Sequence, residues 1–77
     1  MLCFYFDKRL DDEPWSEDKV GDRLAGPDKA RTEALEILRE VDRDHLHQRT
    51  RIAVRVRDDD PAPLLTLTLS LSTERRP

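Results

Sequence analysis

The sequence is short of the residues from which small proteins build cross-links and metal sites. Its 77 residues include one cysteine and two histidines. It therefore cannot form an internal disulfide, and it lacks the four Cys/His ligands of a structural zinc site. Chains of this size bury only about 60–65% of their unfolded surface and often depend on a cross-link, a metal or a partner chain. A partner is the support that remains, so we expect self-association or docking to another protein.

The sequence also lacks the patterns that mark common catalytic and nucleotide sites. Two glycines, Gly21 and Gly26, are too few for a glycine-rich phosphate loop. Cys3 has no obvious base near it in sequence, and no serine has the setting of a nucleophile elbow. The acidic run around Trp15 matches no calcium-loop spacing. We therefore expect no catalytic residue, no metal and no cofactor, and a protein that is not an enzyme.

Neither a long apolar run nor a strong excess of one charge occurs. The apolar start, Leu2–Phe6, is far shorter than a membrane span or a signal peptide, which indicates a cytoplasmic protein without a membrane partner. Charged residues make up 40% of the chain, yet the net charge is only −3, as on an ordinary solvated surface. The net negative charge disfavours nucleic-acid binding, although a local basic patch could still provide it.

The sequence does contain alternating and helical apolar patterns. Leu2–Phe6 alternates as a short strand that Asp7 is expected to end, and a loop is predicted over residues 7–19. The segment Val20–Leu24 is either a short strand or an extended connection. Apolar residues three and four positions apart predict a helix over about 27–47, which begins at Pro27 or is capped by Asp28.

Two further alternating segments predict a C-terminal hairpin over about residues 50–73. Ile52, Val54 and Val56 alternate with polar residues in the first segment, and leucines alternate with Thr and Ser in the second. The intervening run DDDPAP cannot continue a strand ladder, since it holds two prolines and three aspartates. The two strands are therefore expected to be antiparallel.

Together these elements predict one α+β domain over residues 1–77. A three- to four-stranded, mainly antiparallel sheet carries one long helix on one face, in the order β-(β)-α-β-β. With three strands, the helix would return the chain parallel to the first strand, and the leucine-rich last strand would lie in the centre. If Val20–Leu24 is a strand, it would pair with the first strand instead. The residues expected beneath the helix are Leu2, Phe4, Phe6, Ile52, Val54, Val56, Leu65, Leu67, Leu69 and Leu71.

The alternation also defines a polar face of the sheet, turned away from the helix. In LLTLTLSLS, Leu64–Ser72, the leucines share one face and the hydroxyl residues share the other. This polar face is either plain solvent-facing sheet or a docking surface. The candidate interaction surface consists of Tyr5, Trp15, Arg51, Arg55, Arg57, Thr66 and Thr68. Its arginines allow an alternative role, a small regulator that contacts nucleic acid with Tyr5 stacked on a base.

The lone tryptophan has two interpretations. Trp15 lies in a polar loop, where such a side chain either folds back onto the edge of the core or anchors a partner. Folding back is favoured, because a domain this small needs the apolar area.

Several motifs resemble a family of small uncharacterised bacterial domains that is common in alphaproteobacteria. They are the aromatic first strand FYFD, D-x-V-G-x-x-L at Asp18–Leu24, P-D-x-A-R-x-E-A-L at Pro27–Leu35 and V-R-D-D at Val56–Asp59. Leu2-Cys3 replaces the family's basic-aromatic start, and Pro61 stands where its hairpin has glycine. The family has no established activity. The resemblance therefore implies the fold and an interaction or regulatory role, and it assigns no site residue.

Overall fold

Within the described residues, the fold consists of four strands and one helix. The computed structural model describes residues 2–45, 50–60, 62–72, 74 and 76. The elements are β1 (Leu2–Leu10), β2 (Asp22–Leu24), α1 (Pro27–His45), β3 (Arg51–Arg57) and β4 (Leu65–Ser70). Pro27 is the first helical residue, where a missing N–H is tolerated. The part of the helix predicted beyond His45 lies outside the described residues.

The strands form one antiparallel sheet in the order β2-β1-β3-β4. β1 pairs with β2 along its first three residues and with β3 from Tyr5 to Leu10. β4 pairs with β3 along its whole length. The predicted α+β class is confirmed, and so is the four-stranded alternative in which β2 pairs with β1.

The three-stranded topology is wrong. β1 lies directly beside β3 and runs antiparallel to it, and the leucine-rich β4 forms an edge of the sheet, not its centre. The reason is β2, which reverses the chain before the helix begins. The helix therefore connects β2 to β3, two parallel strands that have β1 between them.

β1 is longer than predicted, because Asp7 continues the strand and does not end it. The alternation runs on to Leu10, with Lys8 and Leu10 on the helix side and Asp7 and Arg9 on the other. The predicted loop over 7–19 is therefore wrong at its start. A charged residue is accepted at Asp7 because β3 supplies its counter-ions, as described below.

The core lies between α1 and one face of the sheet. Its buried residues are Phe4, Phe6, Ile52, Val54 and Val56 from the strands and Ala30, Ala34 and Leu38 from the helix. The prediction is confirmed for these strand residues, whereas Leu65, Leu67 and Leu69 are only partly buried. It is wrong for Leu2 and Leu71, which are 55% and 49% exposed. Leu2 is the first residue of β1, and Leu71 directly follows the last residue of β4.

Within the described part of the chain, no helix combines the length and the apolar character that a bilayer crossing requires.

Candidate interaction surface

The face of the sheet opposite the helix, called the outer face here, carries the residues predicted as an interaction surface. Tyr5 lies opposite Arg57, and Arg55 lies opposite Thr66, in adjacent strand pairs. Thr68 follows two residues along β4 and is exposed, as is Thr66. The register therefore brings the strand-borne candidates together on one face.

The centre of the outer face is a buried carboxylate that sequence reasoning missed. Asp7 has no exposed surface. Its Oδ2 accepts hydrogen bonds from Arg55 Nε at 2.8 Å and from Arg57 Nε at 2.6 Å. Its Oδ1 accepts from a second nitrogen of Arg57 and from the Asp18 backbone N–H, both at 3.0 Å. One carboxylate thus ties β1, β3 and the β1–β2 loop together.

This geometry sets the ionisation of Asp7. Burial works to raise the pKa of the carboxyl group. The hydrogen bonds from Arg57, from the Asp18 N–H and from Arg55 outweigh burial, and the pKa lies below the usual 3.8. Asp7 is therefore ionised at neutral pH and pairs with both guanidinium groups. An ionised carboxylate has no proton to donate, and this one is buried with its lone pairs occupied, so a substrate cannot reach it as a base.

A second carboxylate, Asp18, organises the turn that leads into β2. Its Oδ1 accepts the N–H groups of Val20 and Gly21 at 3.0 and 3.1 Å, and its Oδ2 accepts the N–H of Phe6 at 3.1 Å. Burial raises the pKa of Asp18, but these backbone donors outweigh it and lower the pKa overall.

Gly21 closes this turn against β1. Its φ of +77° lies in the left-handed region that favours glycine. A Cβ at this position would lie 2.9 Å from both Cys3 Sγ and Tyr5 Cε1. The hydrogen bond between Cys3 and Tyr5 is the leading cause that raises the pKa of the Tyr5 hydroxyl. Cys3 is therefore a packing neighbour of Tyr5 and Gly21 on the outer face.

Trp15 folds back onto arginines of the outer face, and not onto the edge of the core. The Arg55 guanidinium carbon lies 4.4 Å from the Trp15 ring centroid, and that of Arg9 lies 5.6 Å away. Both distances are within the range of cation–π attraction. Arg57 stands in the same relation to Tyr5, at 5.2 Å. The two aromatic candidates are therefore engaged with the arginines of the same surface.

The far end of the outer face is held by Asp11 and Asp12. Asp11 Oδ1 accepts hydrogen bonds from the Thr50 and Arg51 N–H groups, each at 3.0 Å. The Asp12 carboxylate pairs with Arg51 and, at 3.5 Å, with Arg9. Four arginines of the outer face thus have a carboxylate partner, since Arg55 and Arg57 share Asp7 and Arg9 and Arg51 share Asp12. Two carboxylates therefore serve four arginines, so each of these four cations already has an acidic partner although their charge is only partly neutralised.

A shallow groove of about 320 Å³ runs between Trp15 and β4. It brings together four of the sequence-predicted candidates, Trp15, Arg51, Thr66 and Thr68, and leaves out Tyr5, Arg55 and Arg57. Among the described residues, no group of three or more His, Cys, Asp or Glu side chains is arranged to hold a metal ion.

The loop that follows β1 covers the part of β1 that β2 leaves unpaired. Beyond the stretch paired with β2, the Phe6 N–H donates to the Asp18 carboxylate. Lys8 then exchanges backbone hydrogen bonds with Ser16, at 3.0 and 2.7 Å. Unpaired edge groups are templates for another strand. Here the loop that follows β1 occupies them.

The opposite edge, β4, is open. The Leu71 N–H donates to the Thr50 carbonyl at 2.8 Å, and residues of an antiparallel strand alternate in the side to which they direct N–H and C=O. The backbone N–H and C=O groups of Leu65, Leu67 and Leu69 therefore point to β3. Those of Thr66, Thr68 and Ser70 point outward, away from the sheet. In residues 2–45 and 50–72, apart from the undescribed Pro61, no backbone hydrogen bond reaches these outward groups.

Over residues 65–70, β4 lacks the charges and prolines that protect many natural edge strands, although just before it the Leu64 N–H donates to the carbonyl of Val56, the partner of Leu65, as in a bulge. Its sequence LTLTLS contains neither charge nor proline and pairs with β3 in an unbroken register. Leu64 and Leu71, which directly precede and follow β4, are 41% and 49% exposed. The β4 edge therefore combines unpaired backbone groups with partly exposed leucines.

Residues 3–70 match the family described as a domain of unknown function, DUF6894. The chain belongs to this family. No curated protein and no solved structure matches the chain. Membership in DUF6894 thus agrees with the resemblance seen in the sequence motifs and assigns no activity.

Sequence signals for the missed residues were present but weak. Asp7 sits in phase with Tyr5 on β1, and Arg55 and Arg57 alternate in phase on β3, so a carboxylate shared between two arginines could have been proposed. Asp18 and Gly21 belong to the D-x-V-G motif, and an Asp three residues before a Gly is typical of a side chain that accepts turn N–H groups.

Proposed function

We propose that this DUF6894 domain is a non-enzymatic interaction module that binds another protein strand at the β4 edge. The observation that carries the proposal is the contrast between the part of β1 that β2 leaves unpaired and the β4 edge. Asp18 and Ser16 occupy backbone groups of β1, while the outward groups of Thr66, Thr68 and Ser70 have no partner within the described residues.

Strand addition at this edge would use chemistry that β4 already presents. Main-chain hydrogen bonds to the outward N–H and C=O groups supply affinity, and alternate side chains supply specificity. On the helix side the added strand would meet Leu65, Leu67 and Leu69, so it should be apolar at alternate positions. On the outer face it would meet Thr66 and Thr68 beside the groove that Trp15 borders.

The outer-face arginines have a supporting role in this proposal. Arg55 and Arg57 hold Asp7, and Arg51 is paired with Asp12. With Tyr5 and Trp15 stacked against them, they keep the sheet rigid behind β4. We also propose a bacterial, cytoplasmic setting, which rests on the sequence resemblance and on the absence of a long apolar run.

The alternative role, contact with nucleic acid through Arg51, Arg55 and Arg57, is less well supported. Phosphate binding requires cations that are available to replace counter-ions, and each of these arginines already pairs with a carboxylate. If the role is real, an Arg51→Ala variant should bind single-stranded nucleic acid more weakly, with a shallower salt dependence. Mobility shifts over a salt series would measure both.

The proposed function is tested by changing the outward N–H of Thr68. In a Thr68→Pro variant this N–H is removed while the hydrogen bonds from β3 to β4 remain, since Thr68 contributes none to them. Thr68→Ala is the matched control, because it removes the side chain and keeps the N–H. Each tagged chain is incubated with lysate of the source cells, and melting temperatures verify the fold.

A protein partner that the wild type and Thr68→Ala retain, and that Thr68→Pro loses, is the expected result. Identical sets of bound proteins from the proline and alanine variants would overturn the proposal, because no association would then depend on the β4 edge.

A further inference from the structure

We infer that the strand bound at the β4 edge is β4 of a second copy of this chain, in an antiparallel register centred on Thr68. This inference rests on the proposed function and names its partner. The result would be a two-fold dimer with one continuous eight-stranded sheet and both helices on the same face, because an antiparallel two-fold pairing keeps each face of the sheet together.

The outward groups of β4 favour this register. Thr68 is the middle of three outward-facing residues, so an axis at Thr68 places Thr66 opposite Ser70 of the second copy and Thr68 opposite its own equivalent. Each of the three residues then exchanges backbone hydrogen bonds with an outward-facing residue of the second copy. An axis at Leu67 would place Ser70 opposite Leu64 of the second copy, outside β4, and fewer bonds would form within the strand.

The side chains are also self-complementary about Thr68. On the helix side, Leu67 meets Leu69 of the second copy, and Leu65 meets Leu71. Leu71 is 49% exposed in the single chain, and the pairing would cover it. On the outer face, Thr66 meets Ser70, a pair of small hydroxyl residues of the kind that stabilises antiparallel sheets.

Charge argues for a second copy over an unrelated strand. The chain is 40% charged, and a strand edge that carries charges can bring like charges opposite one another in a two-fold pairing. β4 carries no charge over six residues, and directly opposed like charges, which destabilise cross-strand pairs, are therefore absent. Nor does β4 offer a charge by which a charged partner strand could be selected.

The first measurement is the mass of the purified full chain by sedimentation over a concentration series. We expect the mass to rise from 9.0 kDa to twice that value, and we expect Thr68→Ala to behave in the same way. Thr68→Pro should remain a monomer. A wild-type chain that stays monomeric, or a Thr68→Pro chain that dimerises as the wild type does, would overturn the inference.

Cross-linking tests the register. Single cysteines replace Thr66, Thr68 or Ser70 in a Cys3→Ser background, and the dimer is treated with an oxidant or a short thiol cross-linker. Opposed residues have Cα atoms about 5.5 Å apart, within disulfide reach. In this register Thr66 is four positions away from its own equivalent in the second copy, and so is Ser70. These pairs lie about 13 Å apart along the strand, beyond that reach.

Covalent dimer from Thr68→Cys, with little from Thr66→Cys or Ser70→Cys, is the expected pattern. Equal yields from all three positions, or a higher yield at Thr66 or Ser70, would overturn the register. A purified chain that stays monomeric, while lysate partners still depend on the Thr68 N–H, would overturn the second-copy inference and leave the proposed function standing. If the purified chain stays monomeric and no lysate partner depends on the Thr68 N–H, both the second-copy inference and the proposed function are overturned.

Discussion

Removing the charge of Asp7 should destabilise the domain more than any change to a surface carboxylate. In an Asp7→Asn variant, Arg55 and Arg57 lose their shared counter-ion, although the side chain keeps its shape. Removing one partner of a fully buried ion pair costs about 3–5 kcal/mol. The arginine side chains are 19% and 27% exposed, so they can recover part of their hydration, and we expect a loss of about 2–4 kcal/mol.

This loss is large for a chain of 77 residues, whose whole stability is expected at about 4–12 kcal/mol. Urea titration at pH 7, followed by circular dichroism, gives the free energy of unfolding. Asp12→Asn is the matched control, because Asp12 also pairs with two arginines, but its side chain is 83% exposed. Its loss should stay below about 1 kcal/mol. Equal losses from the two variants would refute the assignment of Asp7 as the centre of the outer face.

The same pair of variants predicts a pH dependence. The pKa of Asp7 in the folded chain lies below its usual 3.8, so the folded state binds the proton less readily than the unfolded state does. Its stabilisation is therefore complete above the usual pKa and is lost as pH falls from about 3.8 towards the lowered value. The stability difference between wild type and Asp7→Asn should shrink in that window. A constant difference from pH 7 to pH 2 would contradict this origin.

Three further predictions concern the turn and the loop around the outer face. Gly21→Ala should lower the free energy of unfolding by about 1–3 kcal/mol in urea titrations, since a Cβ at this positive φ meets Cys3 and Tyr5. Gly26→Ala is the control, because a Cβ there has nothing within 4 Å, and it should change the free energy of unfolding by no more than about 0.5 kcal/mol. Similar losses from the two variants would contradict the turn geometry. Trp15→Ala should cost about 1 kcal/mol or more, through lost stacking and buried area, and Trp15→Phe should recover part of it in the same assay. Asp18→Asn should raise the amide hydrogen-exchange rate of Phe6, because a neutral amide oxygen is a weaker acceptor; an unchanged rate would contradict the bond from Phe6 to Asp18.

The local elements of the fold could be predicted because their signals lie within short stretches of sequence. Apolar spacing and Pro27 predict the helix. Two alternating runs on either side of DDDPAP predict the C-terminal hairpin. The strand order could not be predicted in the same way. It depends on β2, which has only three residues, and three residues are too few to show an alternating pattern. The hairpin that β2 forms depends on Asp18 and Gly21, whose contacts lie on β1.

The centre of the outer face was missed for a related reason. Asp7 follows five apolar or aromatic positions, and a charged residue in that place is expected to end the strand. Its partners, Arg55 and Arg57, are 48 and 50 residues away in sequence. Only the antiparallel register of β1 with β3 brings them together. The role of Trp15 has the same origin, since the Arg55 side chain on which it stacks comes from a strand in the second half of the chain.

The motifs that carry the family resemblance therefore explain the fold better than they explain the function. Asp7 of FYFD, Asp18 and Gly21 of D-x-V-G and Arg57 of V-R-D-D all meet on the outer face, where they fix the β1–β2 hairpin to β3. Their hydrogen-bonding groups are already paired with one another or with the backbone. The β4 strand contributes to none of these contacts, and its outward groups have no partner within the described residues. A search for the function of this domain should accordingly begin with variants of Thr66, Thr68 and Ser70.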